Sequence, residues 1–592
     1  FDGNTESLLA DFNADGLTDV AYWAPGGVWQ LLIATGSRSA ALAGFVGPTA
    51  TAASAPPIGG RAMIIDWDAD GRTDLLQPTS SGELQYCRST GRSLESCLPA
   101  GISPGTIATS PMTLDPTGDS YPDLVYATSN VRLHIHHHVP PDLLVSAIDG
   151  YGLTSTFEYT KLSNPLVHKV SAGSVFPVRD LPRPGVVVSK MIRDDSRGRE
   201  EETYFYEGAK LHAQGRGFLG FARRTVTPSI HPLVRVEEFQ QDPAAYERIG
   251  APSRITLQQR SGVPVTRTTY TWAQHAYGSG YETRRFGYPS SATLERYELD
   301  GVRVSSTVTS NTFDTFGTRV RQSEVTTQNA KGLTPWAQHT QVTSLDGVVN
   351  DTTNWCLGRP AATRISRSHT LPGGAEVTRS LAHSWDYLRC RPTQQVVEPS
   401  STTLRVSTDV TYDAYGNETG VTVTPIGQPS RTTSHTWIEN GRLRASTRNP
   451  QGHVEQRVWD SVAARPTATI DANGLSTLLQ YDSLNRPTRR TRPDGTSTVI
   501  GQTLCGSACA WPGTYRVVTV TERGVGDAHI KMVESGYDRN GRELYSREEL
   551  PGGAHAFRVK RYDSLGRLQQ EGIPGQCCAT PTTWIKHAYD AL

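Results

Sequence analysis

Three acidic clusters hold the side chains best suited to chemistry. Asp11, Asn13, Asp15, Gly16 and Asp19 follow the spacing DxNxDGxxD, and Asp66, Asp68, Asp70, Gly71 and Asp74 follow DxDxDGxxD. A third copy, Asp115, Thr117, Asp119 and Asp123, has Ser120 where the others have Gly. Oxygen ligands at loop positions one, three, five and nine, with a carbonyl free at seven and Gly at six for a sharp turn, suit a hard cation such as Ca²⁺. The expected metal ligands are therefore Asp11, Asn13, Asp15, Asp19, Asp66, Asp68, Asp70 and Asp74, with Ca²⁺ as cofactor. The alternative is a metal-free turn in which the Asp side chains cap backbone amides. Neither loop ends in the Glu of an EF-hand, and no helical pattern flanks them.

Other candidates are weaker. His134, His136 and His138 would share one face of a strand, where residues two apart stand roughly 7 Å from each other, too splayed for one Zn²⁺. Cys505, Cys509, Cys577 and Cys578 offer four thiolates, and Cys87, Cys97, Cys356 and Cys390 stand apart from them. Metal, disulfides and unpaired structural thiols all remain open for these eight, with unpaired thiols the expectation, since eight in 592 is not a disulfide scaffold. The sequence has no HExxH and no phosphate-binding Gly loop. No enzyme is expected.

The elements that hold the loops read as strands. Each loop is entered by an apolar triplet such as Leu8-Leu9-Ala10 or Met63-Ile64-Ile65 and left by another apolar step, and loop starts lie 55 and 49 residues apart. A unit of that size with several short strands is a β-propeller blade. Composition agrees: 55 Gly and 37 Pro mark a turn-rich β protein. Equal numbers of bases and acids, 58 each, give no support to a nucleic-acid partner or an anionic membrane. Only eight of those bases are Lys. No apolar run approaches the roughly 18 residues of a membrane-spanning helix. The absence of an initial Met and of a signal-like start leads us to expect a piece of a longer chain.

Further along, one phrase recurs: an aromatic, usually Asp, two variable residues, a turn residue, then often Arg. It appears at Tyr412-Asp413, Trp437, Trp459-Asp460, Tyr481-Asp482, Tyr537-Asp538, Tyr562-Asp563 and Tyr589-Asp590, with most starts 22 to 27 residues apart. That is one hairpin per repeat. Recurrence argues for a structural duty: Asp accepts turn amides, the aromatic packs over the neighbouring hairpin, and Arg pairs with the next repeat's Asp. Gly152 precedes Tyr159 by seven residues, as Gly474 precedes Tyr481, and Phe313-Asp314 with Gly317 is a further copy, so the repeat begins far upstream. In Val302 to Thr309 valines alternate with polar residues, which predicts one modestly apolar face. From about Pro140 onward the expectation is one continuous curling antiparallel sheet with a polar hollow and no compact core.

The tyrosine-aspartate repeats resemble the Rhs/YD-repeat family. Their order after acidic blades of FG-GAP/VCBS type resembles the B component of bacterial Tc toxin complexes, as do the phrases Gly215 to Phe221 and Trp355 to Pro360. The fold class expected is all-β: a partial propeller over residues 1–131, a middle region of divergent Rhs-type strands over 132–400, and YD repeats over 401–592. The resemblance implies a secreted, extracellular, noncatalytic shell that encloses and helps deliver a C-terminal effector outside this segment. It also implies docking on a pore-forming A-type component and assembly with a C component. The alternative is a cell-surface or secreted YD-repeat adhesin that binds glycan.

Overall fold

The computed structural model describes residues 6–23, 27–35, 44–54, 56, 61–68, 70–102, 112–114, 123–127, 130–134, 143–150, 152–180, 186–194, 199–212, 217–278, 283–329, 335–504, 511–576 and 581–589. Within them almost all the regular secondary structure is strand, with short 3₁₀ turns at Pro243–Arg248 and Val525–Asp527.

The N-terminal part holds three small antiparallel sheets. The first runs Glu6–Ala10, Asp19–Trp23, Val28–Ala34, Phe45–Ser54 in sequence order, and the second runs Met63–Ile65, Asp74–Pro78, Leu84–Cys87, Leu98–Ile102. The third has Met112–Leu114, Asp123–Ala127 and Val131–His134. In each, the acidic loop lies between the first and second strands. The second sheet is covered on both faces. Leu75 and Cys87 join Trp23, Trp29 and Leu31 of the first sheet, while Ile65, Leu76 and Leu84 join Leu124 of the third. Burial of every residue from Asp74 to Gln77 follows from that sandwiching.

From Ser146 to Lys586 the chain forms a single 32-stranded sheet in which strands follow one another almost entirely in sequence order. Strands on either side of residue 400 belong to it alike. Two excursions leave its rim. One is a small sheet of Val178–Asp180, Lys210–His212 and Gly217–Phe218, and the other is a hairpin of Val349–Asp351 with Cys356–Arg359.

This sheet departs from the expected two-faced pattern. Val308 is exposed while Thr307 and Thr309 are half-buried, so neither face of that strand is a core face. A single layer with no second layer on it leaves both faces partly wet, which alternation alone could not reveal. The expectation of no compact core fails near one end, where Leu544, Tyr545, Phe557 and Val559 are buried together against Trp511, Tyr562 and Trp584. Unpaired thiols also fail for the described cysteines: Cys87 bonds Cys97 and Cys356 bonds Cys390. Cys505, Cys509, Cys577, Cys578, His136 and His138 lie outside the described residues.

Candidate functional site

The two acidic loops share one pattern of backbone hydrogen bonds. Asp11 accepts from the backbone N–H of Asp15 (3.2 Å) and Gly16 (2.8 Å), as Asp66 accepts from Asp70 (3.1 Å) and Gly71 (3.1 Å). Gly16 and Gly71 turn at φ of 83° and 85°, where a side chain is strained. Asp19 and Asp74 are fully buried. Asp19 takes the N–H of Phe12 and of Ala34, both at 2.8 Å, and Asp74 takes those of Trp67 (3.0 Å) and Ser89 (2.7 Å). Position nine thus ties its loop to the next strands, a duty it performs with or without a cation. Consecutive loops are also linked, since Thr73 N–H donates to Asp11 O at 3.0 Å and Ser89 Oγ to Phe12 O at 2.6 Å.

The second loop fits a cation in its donor set. Oxygens of Asp66, Asp68 and Asp74 lie within 4.8 Å of one another. Burial, with repulsion from Asp70 and Asp68 behind it, pushes Asp66 up to about 6. Burial likewise pushes Asp74 up to about 7. A buried cation would relieve both. Arg88 already meets part of that need, with Nε 2.5 Å from Asp68 Oδ2 and Nη2 3.4 Å from Asp70 Oδ2, and Arg72 also reaches Asp70. In the first loop Asn13 Nδ2 donates to Asp15 Oδ2 at 2.8 Å, so its amide nitrogen faces the carboxylate. In the third loop Asp123 is buried like its counterparts, while Asp115, Thr117 and Asp119 lie outside the described residues.

The repeats show what their aromatic, Asp and Arg do. Asp482 Oδ1 accepts from the N–H of Leu484 (2.9 Å) and Arg486 (3.0 Å), and Asp413, Asp538 and Asp563 repeat this on the residues two and four further on. Asp314 does the same with Phe316 and Thr318, in the divergent middle region. The aromatic reaches back to the preceding hairpin. Tyr412 Oη donates to Pro392 O (2.7 Å), Trp437 Nε1 to Glu418 O (2.9 Å) and Tyr562 Oη to Glu543 O (2.9 Å). Trp272 and Trp385 do so with Pro252 O and Pro360 O, both at 2.8 Å.

The arginines correct the sequence reading. Arg486, Arg542 and Arg567 each bond the Asp of their own repeat, Nε to Oδ2 at 2.6, 2.7 and 2.8 Å, not the Asp of the next. What Arg542 and Arg567 offer the next repeat is a cation over its ring: Arg542 lies 5.3 Å from the Tyr562 centroid and Arg567 4.5 Å from that of Tyr589. Sequence reasoning also missed the β-bulge immediately before six of the repeat aromatics. The register slips between Thr411 and Tyr412, Thr436 and Trp437, Val458 and Trp459, Gln480 and Tyr481, Gly536 and Tyr537, and Arg561 and Tyr562. Bulges add local twist, so one in each of these repeats supplies curvature at regular intervals.

That curvature brings the sheet back to its own start. The ring of Tyr515 lies against Gly152, where an added Cβ would stand 2.7 Å from Cζ. A cavity of about 310 Å³ has Leu153, Glu200, Ile230 and His231 on one side and Asn540, Arg542 and Leu565 on the other. Residues roughly a whole circuit of strands apart thus meet at a seam.

Comparison with known proteins agrees with this architecture. Residues 89–231 match the family model of the insecticide toxin TcdB middle/N-terminal region, and residues 465–497 match the RHS repeat. In these two segments the chain resembles the Rhs/Tc toxin B component. It is similar in fold to the crystal structure of TcdB2-TccC3, with TM-score 0.66 and 13% identity, over 97% of this chain and 38% of that one. It is similar also to the Photorhabdus luminescens Tc holotoxin pore, with TM-score 0.66 and 12% identity, over 97% of this chain and 39% of that one. The chain therefore spans less than two fifths of each of these two structures. No curated protein matches it. Among the described residues no helix is long and apolar enough to cross a membrane.

Proposed function

We propose that the chain is the noncatalytic shell and docking portion of a secreted Tc/Rhs-type toxin, which encloses a C-terminal effector and helps deliver it through a pore-forming A-type component. The observation that carries this reading is the 32-stranded sheet meeting its own beginning at Gly152 and Tyr515, as a container wall must. Its repeat residues are engaged in turns and neighbouring hairpins, which leaves them structural. The three small sheets are read as propeller blades. Two features support that: the second is sandwiched, and the outer faces of the other two leave Leu9, Met112, Val131 and Leu133 exposed for further sheets of the same kind.

Expressed alone inside target cells, this chain should be harmless where the full-length protein kills, and removal of residues 1–130 from the full-length protein should abolish delivery. Toxicity from the chain alone overturns the container reading. The acidic loops are proposed to take Ca²⁺, through Asp11, Asn13, Asp15 and Asp19 in the first and Asp66, Asp68, Asp70 and Asp74 in the second. Titration calorimetry should show uptake that is lost on Asp15→Ala with Asp70→Ala; unchanged heats in that double variant refute it.

A further inference from the structure

Near the end of the large sheet, three consecutive strands bring two imidazoles and a carboxylate to the same edge. His529 opens the strand His529–Tyr537, Glu549 closes Glu543–Glu549, and His555 opens His555–Tyr562. The three strands are antiparallel neighbours, so these ends stand side by side. Register fixes the closest pairing: Glu549 lies directly opposite His555, and Glu548 opposite Val533. Side chains directly opposite one another share a face, with Cβ atoms about 5 Å apart.

Two of these groups already touch, and the third lacks a partner. His529 Nε2 stands 2.5 Å from Glu549 Oε2, and the same oxygen accepts from Met532 N–H at 3.1 Å. The bond from His529, with nearby His555 adding to it, holds Glu549 below the usual carboxylate range. His555 Nδ1 is shut off from solvent, yet it has no hydrogen-bond partner among the described residues. An enclosed ring nitrogen left unpaired is costly. The cations close by are engaged elsewhere: Lys531 pairs with Glu548, and Arg523, opposite His529, pairs with Asp527. Among the described ion pairs Glu549 meets His529 alone.

We propose that His529, Glu549 and His555 bind one transition-metal dication of the zinc class, as a clamp across three strands. Two imidazoles and one carboxylate are a donor set that Zn²⁺ accepts, with its fourth position left to water. A hard cation such as Ca²⁺ takes oxygen ligands, so this site differs in kind from the acidic loops. Its donors are less gathered than those of Asp66, Asp68 and Asp74. Ligands held about 2.1 Å from Zn²⁺ stand about 3.4 Å from one another, so His529 and Glu549 must part by about 1 Å and His555 must turn its ring toward them. The ion takes the place of the proton between His529 and Glu549, and it gives His555 Nδ1 the partner it lacks. Two of the clamped strands carry the buried Leu544, Tyr545, Phe557 and Val559, so the clamp fastens the most tightly packed part of the sheet.

Titration of the whole chain with Zn²⁺, in the presence of Ca²⁺, tests this. His529→Gln, Glu549→Gln and His555→Gln should each weaken uptake about tenfold or more. His435→Gln, whose ring meets Thr447 Oγ1 elsewhere on the sheet, should leave it unchanged, as should Asp15→Ala with Asp70→Ala in the acidic loops. X-ray absorption of the zinc-loaded chain should report two imidazole ligands, and this reading decides the matter even for a variant that folds poorly. Melts recorded with a chelator should differ from the parent by no more than a surface ion pair is worth. Uptake should also strengthen as pH rises from about 5.5 to about 7.5, because the metal needs neutral imidazoles, whereas a bare ion pair of His529 with Glu549 fades in that direction. A chain that takes up no zinc overturns the proposal. So does uptake that survives His555→Gln, that is lost on the acidic-loop substitutions, or that weakens as pH rises.

Discussion

Trp29 and Trp437 show two ways of holding a β-structure together. Trp29 is fully buried between the first and second small sheets, its Nε1 donating to Gln77 Oε1 at 2.9 Å. Trp437 is half-exposed on the wall, its Nε1 donating to Glu418 O at 2.9 Å. The first belongs to a packed core in which every layer touches the next. The second belongs to a single layer in which each hairpin leans on its predecessor through one donor and one ring. The lesson is that the N-terminal sheets are stabilised by burial and the wall by repetition.

Truncation should separate the two. Trp29→Ala removes a buried ring and leaves a cavity, at a cost of about 3–5 kcal/mol. Hydrogen exchange should show the small sheets losing protection together while the wall keeps its own. Trp437→Ala should cost about 1–2 kcal/mol and loosen only adjacent hairpins. Equal losses at both sites would erase the distinction. Next in size, Asp538→Ala should destabilise the wall by about 3 kcal/mol, because Asp538 is fully buried and its loss leaves the Arg542 guanidinium without its carboxylate. Asp482→Ala at an exposed turn should cost clearly less. Chemical denaturation of the two variants side by side would decide this.

Acid should act on the two regions with opposite sign. Burial raises Asp66 and Asp74 to about 6 and about 7, so the folded small sheets hold protons more tightly than the unfolded chain does. Their stability therefore falls as pH rises from the ordinary carboxylate range to about 7, and Ca²⁺ should flatten that slope. In the wall, the N–H and guanidinium of Arg486 hold Asp482 below its usual range. Asp563 is lowered by Arg567 in spite of a burial cost. Their contribution is present above the ordinary range and lost as pH falls through their depressed values. Thermal melts followed region by region across pH, with and without Ca²⁺, should cross; parallel slopes would refute the assignment. The smallest effect expected is for Arg542→Lys, which keeps the charge but loses the planar contact with Tyr562, at about 0.5–1 kcal/mol. A double-mutant cycle with Tyr562→Leu would measure it.

Much of this was readable from residue order. The loop geometry at Gly16 and Gly71, the strand flanks, and the period of the repeats all follow from local rules, since a turn is decided by its own few residues. The Arg partners did not follow. An Arg reaches its own Asp four residues back as readily as a ring about twenty residues ahead, and only the fold brings the ring within range. The bulges left a faint trace: Pro392, Pro466 and Pro487 stand opposite Trp385, Trp459 and Tyr481, where a missing N–H is tolerated. The two disulfides and the aromatic cluster of Trp511, Tyr545 and Phe557 fall outside the period, so no repeat logic could place them.

The bulge that precedes these aromatics has a consequence for size. A smooth bend can take any radius, but a bend delivered once per hairpin comes in whole steps. The girth of such a wall is then a count. Adding or deleting a complete repeat changes the perimeter by one step and leaves every register intact, whereas a change of a single residue shifts a strand by half its side-chain period and turns its faces over. A vessel assembled in this manner can be enlarged by gene duplication without being redesigned.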